Sequence, residues 1–196
     1  FYESRYFVGG DENGPLQLQG ERIRILFDEF EHDNINSGDT LIIHVGASPF
    51  THNSYQYRKE TFSSIAAKHS LPVISLNHTG ANTSLIFDGN SMVFDTQVNI
   101  IQHGISFGED FLSTDTRSPK EAAMLKDPEK IAVVCEALLL GIRDYFQKHN
   151  FKQAVLGLSG GLDSAVVATL AAEALGPENV LGILMPSPFS SDHSVT

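Results

Sequence analysis

Ala154-Val155-Leu156-Gly157-Leu158-Ser159-Gly160-Gly161-Leu162-Asp163-Ser164 is the stretch from which the organisation of this chain is worked out. An apolar run of strand length breaks into paired glycines, and an alanine-rich helical pattern begins at once, from Ser164 to Leu175. A strand, a tight glycine loop and a helix N-terminus in that order make an anion site. Glycine lets the backbone turn its N–H groups inward, and the helix dipole adds roughly half a positive charge at that end. Ser159 and Ser164 bring hydroxyl donors, and Asp163 brings a carboxylate able to hold a divalent cation beside a bound anion. The loop is that of a phosphate cradle.

The spacing decides which cradle. The loop of the common ATPases and GTPases needs G-x-x-x-x-G-K-[ST], and no Gly-Lys pair occurs in the chain. The dinucleotide fingerprint fits poorly as well. Its glycines are misplaced here, and no acidic residue closes the next strand, Val180 to Leu184, in the ribose-binding position. S-G-G-x-D-S instead resembles the signature of the ATP pyrophosphatases. That resemblance implies a loop holding pyrophosphate, cleavage of ATP between its α- and β-phosphates, and adenylation of a substrate oxygen.

Composition sets the outer bounds. At 196 residues the chain can form one large domain or two small ones. A hydrophobic content of 41% with 19% charged residues is that of an ordinary globular protein. The net charge of −11 argues against a nucleic-acid partner. No apolar run approaches the roughly 20 residues that span a bilayer, so no membrane partner is expected. A single cysteine and no signal peptide make the cytoplasm the default location. Phe1 to Phe7 opens without methionine and Ser190 to Thr196 closes on a polar segment, so a fragment is expected.

The first half is rich in strand patterns. Ile23 to Phe27 and Leu41 to Val45 are β-branched runs, a helical stretch covers about Asn53 to His69, and Pro72 to Leu76 is a further strand. Ser84 to Phe87 and Met92 to Asp95 flank Asp88-Gly89-Asn90, a hairpin-turn signal, with Gln97 to Gln102 able to pair beside it. Residues 113–127 are polar and aperiodic, as a linker is. Asp127-Pro128 then has the form of an N-cap with proline at the first helical position. A helix from about Pro128 to His149 follows, with Ile131, Val134, Cys135, Leu138, Ile142, Tyr145 and Phe146 as its apolar face. Helix, strand, phosphate loop, helix and strand in that order start a doubly wound sheet, with its ligand at the carboxyl end of a strand.

Longer matches carry a closer resemblance. Phe1 to Phe7, Ala47-Ser48-Pro49-Phe50, Leu85 to Ser91, Ser106 to Asp110, Gly157 to Ser164 and Met185 to Ser191 together resemble the central part of the glutamine-dependent NAD synthetases. These join a nitrilase-like glutaminase to an ATP pyrophosphatase. The loop alone would also admit GMP synthetase, asparagine synthetase or tRNA-thiolating enzymes.

The resemblance implies an α/β chain: the C-terminal part of a nitrilase-like α/β sandwich, then the start of a doubly wound, adenine-nucleotide α-hydrolase-like parallel sheet. It divides the chain into 1–112, a linker over 113–127, and 128–196. It implies an amide ligase that converts deamido-NAD to NAD with ATP, Mg2+ and ammonia drawn from glutamine, and it implies a homo-oligomer. By the same resemblance Gly157, Leu158, Ser159, Gly160, Gly161, Leu162, Asp163 and Ser164 bind ATP, and Asp163 contacts the metal. Capping of the helix start is the plainer role open to Asp163.

The glutaminase half matches less well. The family's Glu base, Lys and glutamine-binding Tyr would precede Phe1. Its nucleophilic Cys is expected where Asp28, or Phe27, stands within Ile23 to Phe30, and a carboxylate cannot form the thioester that glutamine hydrolysis needs. Only Glu31 to Asp39 then separates that position from the next strand. Either this half is inactive, leaving an ammonia-dependent synthetase or a scaffold, or residues are missing there. Ser48 matches a glutamine-contacting serine, although Ser54 stands where a basic partner is expected.

Other features point to structural roles. Cys135, on an apolar helix face, is expected to be a buried structural thiol. The eight histidines lack metal-ligand spacing. Glu29, Glu31 and Asp33 suit a solvated loop. Asn77-His78-Thr79 and Asn82-Thr83-Ser84 fit the N-glycosylation pattern, which a cytoplasmic enzyme makes irrelevant.

Overall fold

Alternating apolar side chains in the early strands become two buried rows across one sheet. The computed structural model describes residues 14–27, 34–117 and 129–185. Its largest sheet has six strands in the order β1 (Leu16–Leu18), β2 (Glu21–Leu26), β3 (Leu41–Gly46), β4 (Val73–Asn77), β7 (Met92–Phe94) and β8 (Ile100–His103). β2, β3 and β4 run parallel, and antiparallel strands flank them on both sides. Pairing aligns Arg24, Ile42, Val73 and Phe94 in one row and Leu26, His44, Ser75 and Met92 in the next. All of these side chains are buried.

Helix α1 (Ser54–His69) covers those rows. Phe62, Ile65 and Ala66 join Leu26, Ile42, Val73, Met92 and Phe94 in one apolar cluster. The Phe62 ring lies 4.5 Å from the imidazole of His44. The helix ends at Ser70 in the left-handed conformation, and Leu71-Pro72 leads straight into β4. A helix laid over parallel strands in this way is the layered packing that the sequence pattern implies.

Arg24 is the one cation in the buried rows, and Asp39 at the mouth of β3 makes it tolerable. Asp39 accepts from Arg24 Nε at 3.0 Å, from Arg22 Nε at 2.9 Å and from the Asn36 N–H at 2.9 Å. Burial pushes the Asp39 carboxyl up, but the Asn36 N–H and the two guanidinium groups outweigh it and hold the pKa below its ordinary value.

A second, two-stranded sheet, β5 (Thr79–Asn82) with β6 (Leu85–Asp88), stands apart from the first. Helix α2 (Lys130–Lys148) packs on it. Asp144 accepts the Ala81 N–H at 2.6 Å, and the Lys148 ammonium donates to the Ala81 carbonyl. A Cβ on Gly141 would sit 3.2 Å from Ile86 Cδ1, so glycine there admits the hairpin. Beyond α2, β9 (Ala154–Leu158) pairs in parallel with β10 (Val180–Leu184) across helix α3 (Leu162–Leu175). This is the beginning of the doubly wound arrangement.

Three expectations change. Asp88-Gly89-Asn90 does not close a hairpin: β6 pairs with β5, while β7 pairs with β4 and β8, so the triplet is a corner between two sheets. Cys135 is exposed rather than buried, and so are Ile131, Leu138 and Tyr145. The helix buries Ala137 and Leu139 instead. The helix starts after Glu129, and the Asp127-Pro128 cap lies outside the described residues. Strands β1 and β5 have no clear signal in the sequence pattern, being short and, in β5, polar and glycine-containing.

The depressed Asp39 pKa links this pair to pH. Its contribution is complete above the ordinary Asp value of 3.8 and is lost as pH falls through the lower folded-state value. Asp39→Asn, which removes the buried carboxylate shared by Arg24 and Arg22, is expected to cost about 3 kcal/mol at neutral pH. Urea denaturation measures this, and the difference between variant and wild type should shrink as the buffer is taken into the acid range below that value.

Candidate functional site

The glycine loop sits where β9 ends and α3 begins, at the carboxyl end of a parallel strand pair. Gly160 has φ +74°, a conformation that side-chain-bearing residues rarely adopt, and this kink brings the chain round to the helix start. The two serine hydroxyls close the loop. Ser164 Oγ donates to the Gly161 carbonyl at 2.9 Å, accepts the Ser159 N–H at 3.3 Å, and lies 3.1 Å from Ser159 Oγ. No side chain caps α3.

Ser159 to Asp163 are exposed and no side chain caps α3, so the helix dipole at this end is open to an anion, although the Ser159 and Gly161 N–H groups donate within the loop. Asp163 stands in the first turn of α3 and does not take the capping role open to it. Among the described residues no group of three or more His, Cys, Asp or Glu could hold a metal ion. One carboxylate beside a phosphate cradle still suits Mg2+, which keeps several waters and binds through one or two carboxylates plus substrate phosphates.

The second cluster surrounds Ser48, in the loop after β3. The Ser48 N–H donates to Asn77 Oδ1 at 2.8 Å, and the Phe50 N–H donates to the Ile86 carbonyl at 2.7 Å. Asn77 Nδ2 donates to Asp88 Oδ1 at 3.2 Å and to the Gly89 carbonyl at 3.1 Å. Asp88 Oδ2 in turn accepts from Arg58 Nη2 and from Asn90 Nδ2, both at 2.8 Å. Arg58 and Asp88 have side chains only 3% and 1% exposed. Gly89 has φ +63°, and a Cβ on it would meet the Ile105 carbonyl at 3.1 Å, so the corner tolerates no side chain.

His103 stands at the edge of this network. Burial, and then the Arg58 cation, push its pKa below the ordinary value, so the imidazole is neutral at neutral pH. Ser54, at the expected basic position, is buried in the first turn of α1, where its hydroxyl donates to the Thr51 carbonyl at 2.8 Å. It is a helix-start residue.

The structure brings the eight loop residues together as one feature and holds Ser48 in another. Asp28, with Glu29, Glu31 and Asp33, lies outside the described residues, as do Phe1 to Phe7 and Pro186 to Ser191. The adjacent Phe27 is 62% exposed. No local pattern marks Arg58, Asp88 and Asn77 as a unit. A charged residue within a helical stretch, a turn signal at Asp88 and a sequon at Asn77 are the only traces, and none of them reveals that Arg58 and Asp88 meet across 30 positions of sequence.

Comparison with known proteins now bears on both features. A family profile described as NAD synthase matches residues 134–196. The glutamine-dependent NAD(+) synthetase of Synechocystis sp. is 43% identical over 171 residues, covering 83% of this chain and 30% of that protein. The corresponding protein of Aquifex aeolicus is 31% identical over 236 residues, covering 99% and 42%. The structure of glutamine-dependent NAD+ synthetase from Acinetobacter baumannii in complex with adenosine diphosphate superposes with a TM-score of 0.90 at 30% identity, over 100% of this chain and 39% of that one.

The chain is similar to part of the glutamine-dependent NAD(+) synthetases over most or all of its own length. It spans 30% and 42% of the length of the two curated relatives. The A. aeolicus alignment is longer than this chain, so that relative carries residues with no counterpart here. A carbon-nitrogen hydrolase from Helicobacter pylori G27 superposes over 56% of this chain and 45% of its own, with a TM-score of 0.51 at 20% identity, a likeness of fold alone. Both parts of the α/β class inferred from the sequence are therefore present.

Asp88→Ala removes the counter-charge from a guanidinium that has no access to water. A loss of about 3–5 kcal/mol is expected in chemical denaturation. A loss under about 1 kcal/mol would mean that Arg58 is satisfied without Asp88.

Proposed function

We propose that the protein carrying this chain amidates deamido-NAD to NAD, using ATP and ammonia released from glutamine. One juxtaposition carries the proposal: an exposed S-G-G-x-D-S loop at the end of a parallel strand pair, preceded in the same chain by a sheet of carbon-nitrogen hydrolase fold. In this scheme a carboxylate oxygen of the nicotinate attacks the α-phosphorus of ATP and pyrophosphate leaves. Ammonia then attacks the acyl carbon, AMP departs and the nitrogen loses a proton, leaving the amide.

Gly157 to Ser164 cradle the phosphates of ATP in this proposal, and their N–H groups and helix dipole stabilise the charge that develops on departing pyrophosphate. Asp163 holds Mg2+, which would supply further positive charge at the leaving group. Ser48 contacts glutamine. The glutamine half takes residues 1–112, the linker 113–127 and the ATP half 128–196. We place the activity in the cytoplasm and in a homo-oligomer, with neither nucleic acid nor a lipid bilayer as partner. The net charge of −11 supports the first exclusion, and no helix among the described residues is long and apolar enough to cross a membrane.

Asp163→Ala in the intact protein is expected to lower pyrophosphate release from ATP and deamido-NAD by at least about 100-fold. A colorimetric pyrophosphate assay measures this. Retention of most of the release would sink the assignment of Asp163 and with it the pyrophosphatase character of the loop.

A further inference from the structure

Ser48 is held by its backbone and not by its hydroxyl. Its N–H and that of Phe50 are both donated, Pro49 between them has none to give, and the Ser48 hydroxyl has no hydrogen-bond partner among the described residues. The place from which that hydroxyl projects therefore depends on what holds the loop backbone, and at Ser48 the N–H is held by Asn77 Oδ1 at 2.8 Å.

The surroundings allow the Asn77 carboxamide only one orientation. Its Nδ2 faces the Asp88 carboxylate and the Gly89 carbonyl, both pure acceptors. A flipped amide would set oxygen against both of these and nitrogen against the Ser48 N–H, losing all three hydrogen bonds at once. Asp88 is itself locked by Arg58 and Asn90. The main chain of Asn77 is tied as well, its N–H donating to Ser91 Oγ at 3.1 Å. A carboxamide nitrogen committed in this way is also not free to carry a glycan.

We propose that Asn77 is a positioning residue for glutamine: through the Ser48 N–H it sets the loop whose hydroxyl meets the substrate, and Asp88 sets Asn77. This rests on the assignment of Ser48 to glutamine made above. Asn77 itself touches no reacting atom. Its effect is to keep one polar group of the loop in a fixed place, so that the entropy of ordering the loop is spent on folding and not on binding.

The test uses the intact protein, with NAD formation followed against glutamine and, separately, against ammonia. Asn77→Leu is expected to raise the KM for glutamine by about tenfold or more, and to lower the ratio of glutamine- to ammonia-dependent rate correspondingly. The control is Asp39→Asn, which loosens the same sheet at the Arg22 and Arg24 pair without touching Asn77 or Ser48. Its glutamine KM is expected to stay within about twofold of wild type, which separates positioning at Ser48 from a general loosening of the fold. Unchanged KM in Asn77→Leu overturns the proposal, as do parallel falls in both rates or an equal rise of KM in Asp39→Asn. A wild-type protein that uses ammonia but not glutamine also overturns it, while leaving the synthetase assignment intact. Failure with both nitrogen sources overturns that assignment too.

Discussion

The buried carboxylate of Asp88 is the constraint on which the first half of the molecule depends. It lies at the end of β6 and receives donors from α1, from the end of β4 and from the corner it helps to form. Buried charge is costly unless it is paired and its remaining lone pairs are filled. Here the filling groups come from separate segments, so satisfying one carboxylate fixes where the helix, the parallel strand and the second sheet meet. Ser106 extends the same network by donating to Asn90 Oδ1 at 2.7 Å, which brings the segment after β8 to the corner. The Ser48 loop is the last member of the chain.

This network explains what the sequence disclosed and what it withheld. Strands β2, β3, β4 and β7, helix α1, and the strand–loop–helix at β9 and α3 announce themselves locally, through periodicity and through glycine at a strand end. Asp88-Gly89-Asn90 carries equally strong local chemistry, and Gly89 does take the positive φ a turn would want. Yet the acidic side chain turns inward to Arg58 rather than out to solvent, and a turn becomes a corner between sheets. Nothing in the immediate neighbourhood of the triplet reveals that pairing. Cys135 teaches the same lesson from the opposite side. Its helical face has the period of a buried stripe, but the helix meets the hairpin closely at Gly141 and leaves Cys135 exposed.

The two candidate features also differ in how much of their chemistry is local. The phosphate loop needs backbone N–H groups at a helix start, a kink at Gly160 and two hydroxyls, all supplied within a short run of sequence. Such a site is legible in the order of its residues alone. The Ser48 loop takes its order from Asn77 and Ile86, on strands reached only after a full helix has intervened. Its geometry is a property of the fold and becomes visible only there.

The contact between α2 and the β5–β6 hairpin shows how the same residue types gain different worth by placement. Asp144 and Lys148 are spaced i, i+4, and on a free helix surface such a pair contributes only a few tenths of a kcal/mol. Here the aspartate takes the N–H of Ala81 and the lysine donates to the carbonyl of the same residue. An edge strand that would present unpaired donors and acceptors is covered at that point by a helix that cannot itself offer backbone groups. The opposite signs of the two side chains match the opposite needs of the N–H and the carbonyl of one strand residue. The helical spacing sets them at the separation that residue requires, so the pair serves the sheet more than it serves its own helix. The hairpin is consequently fixed at Ala81 and Ile86 by α2 and at its base by Asp88, and the Ser48 loop, bonded to Ile86 and Asn77, is held between the two.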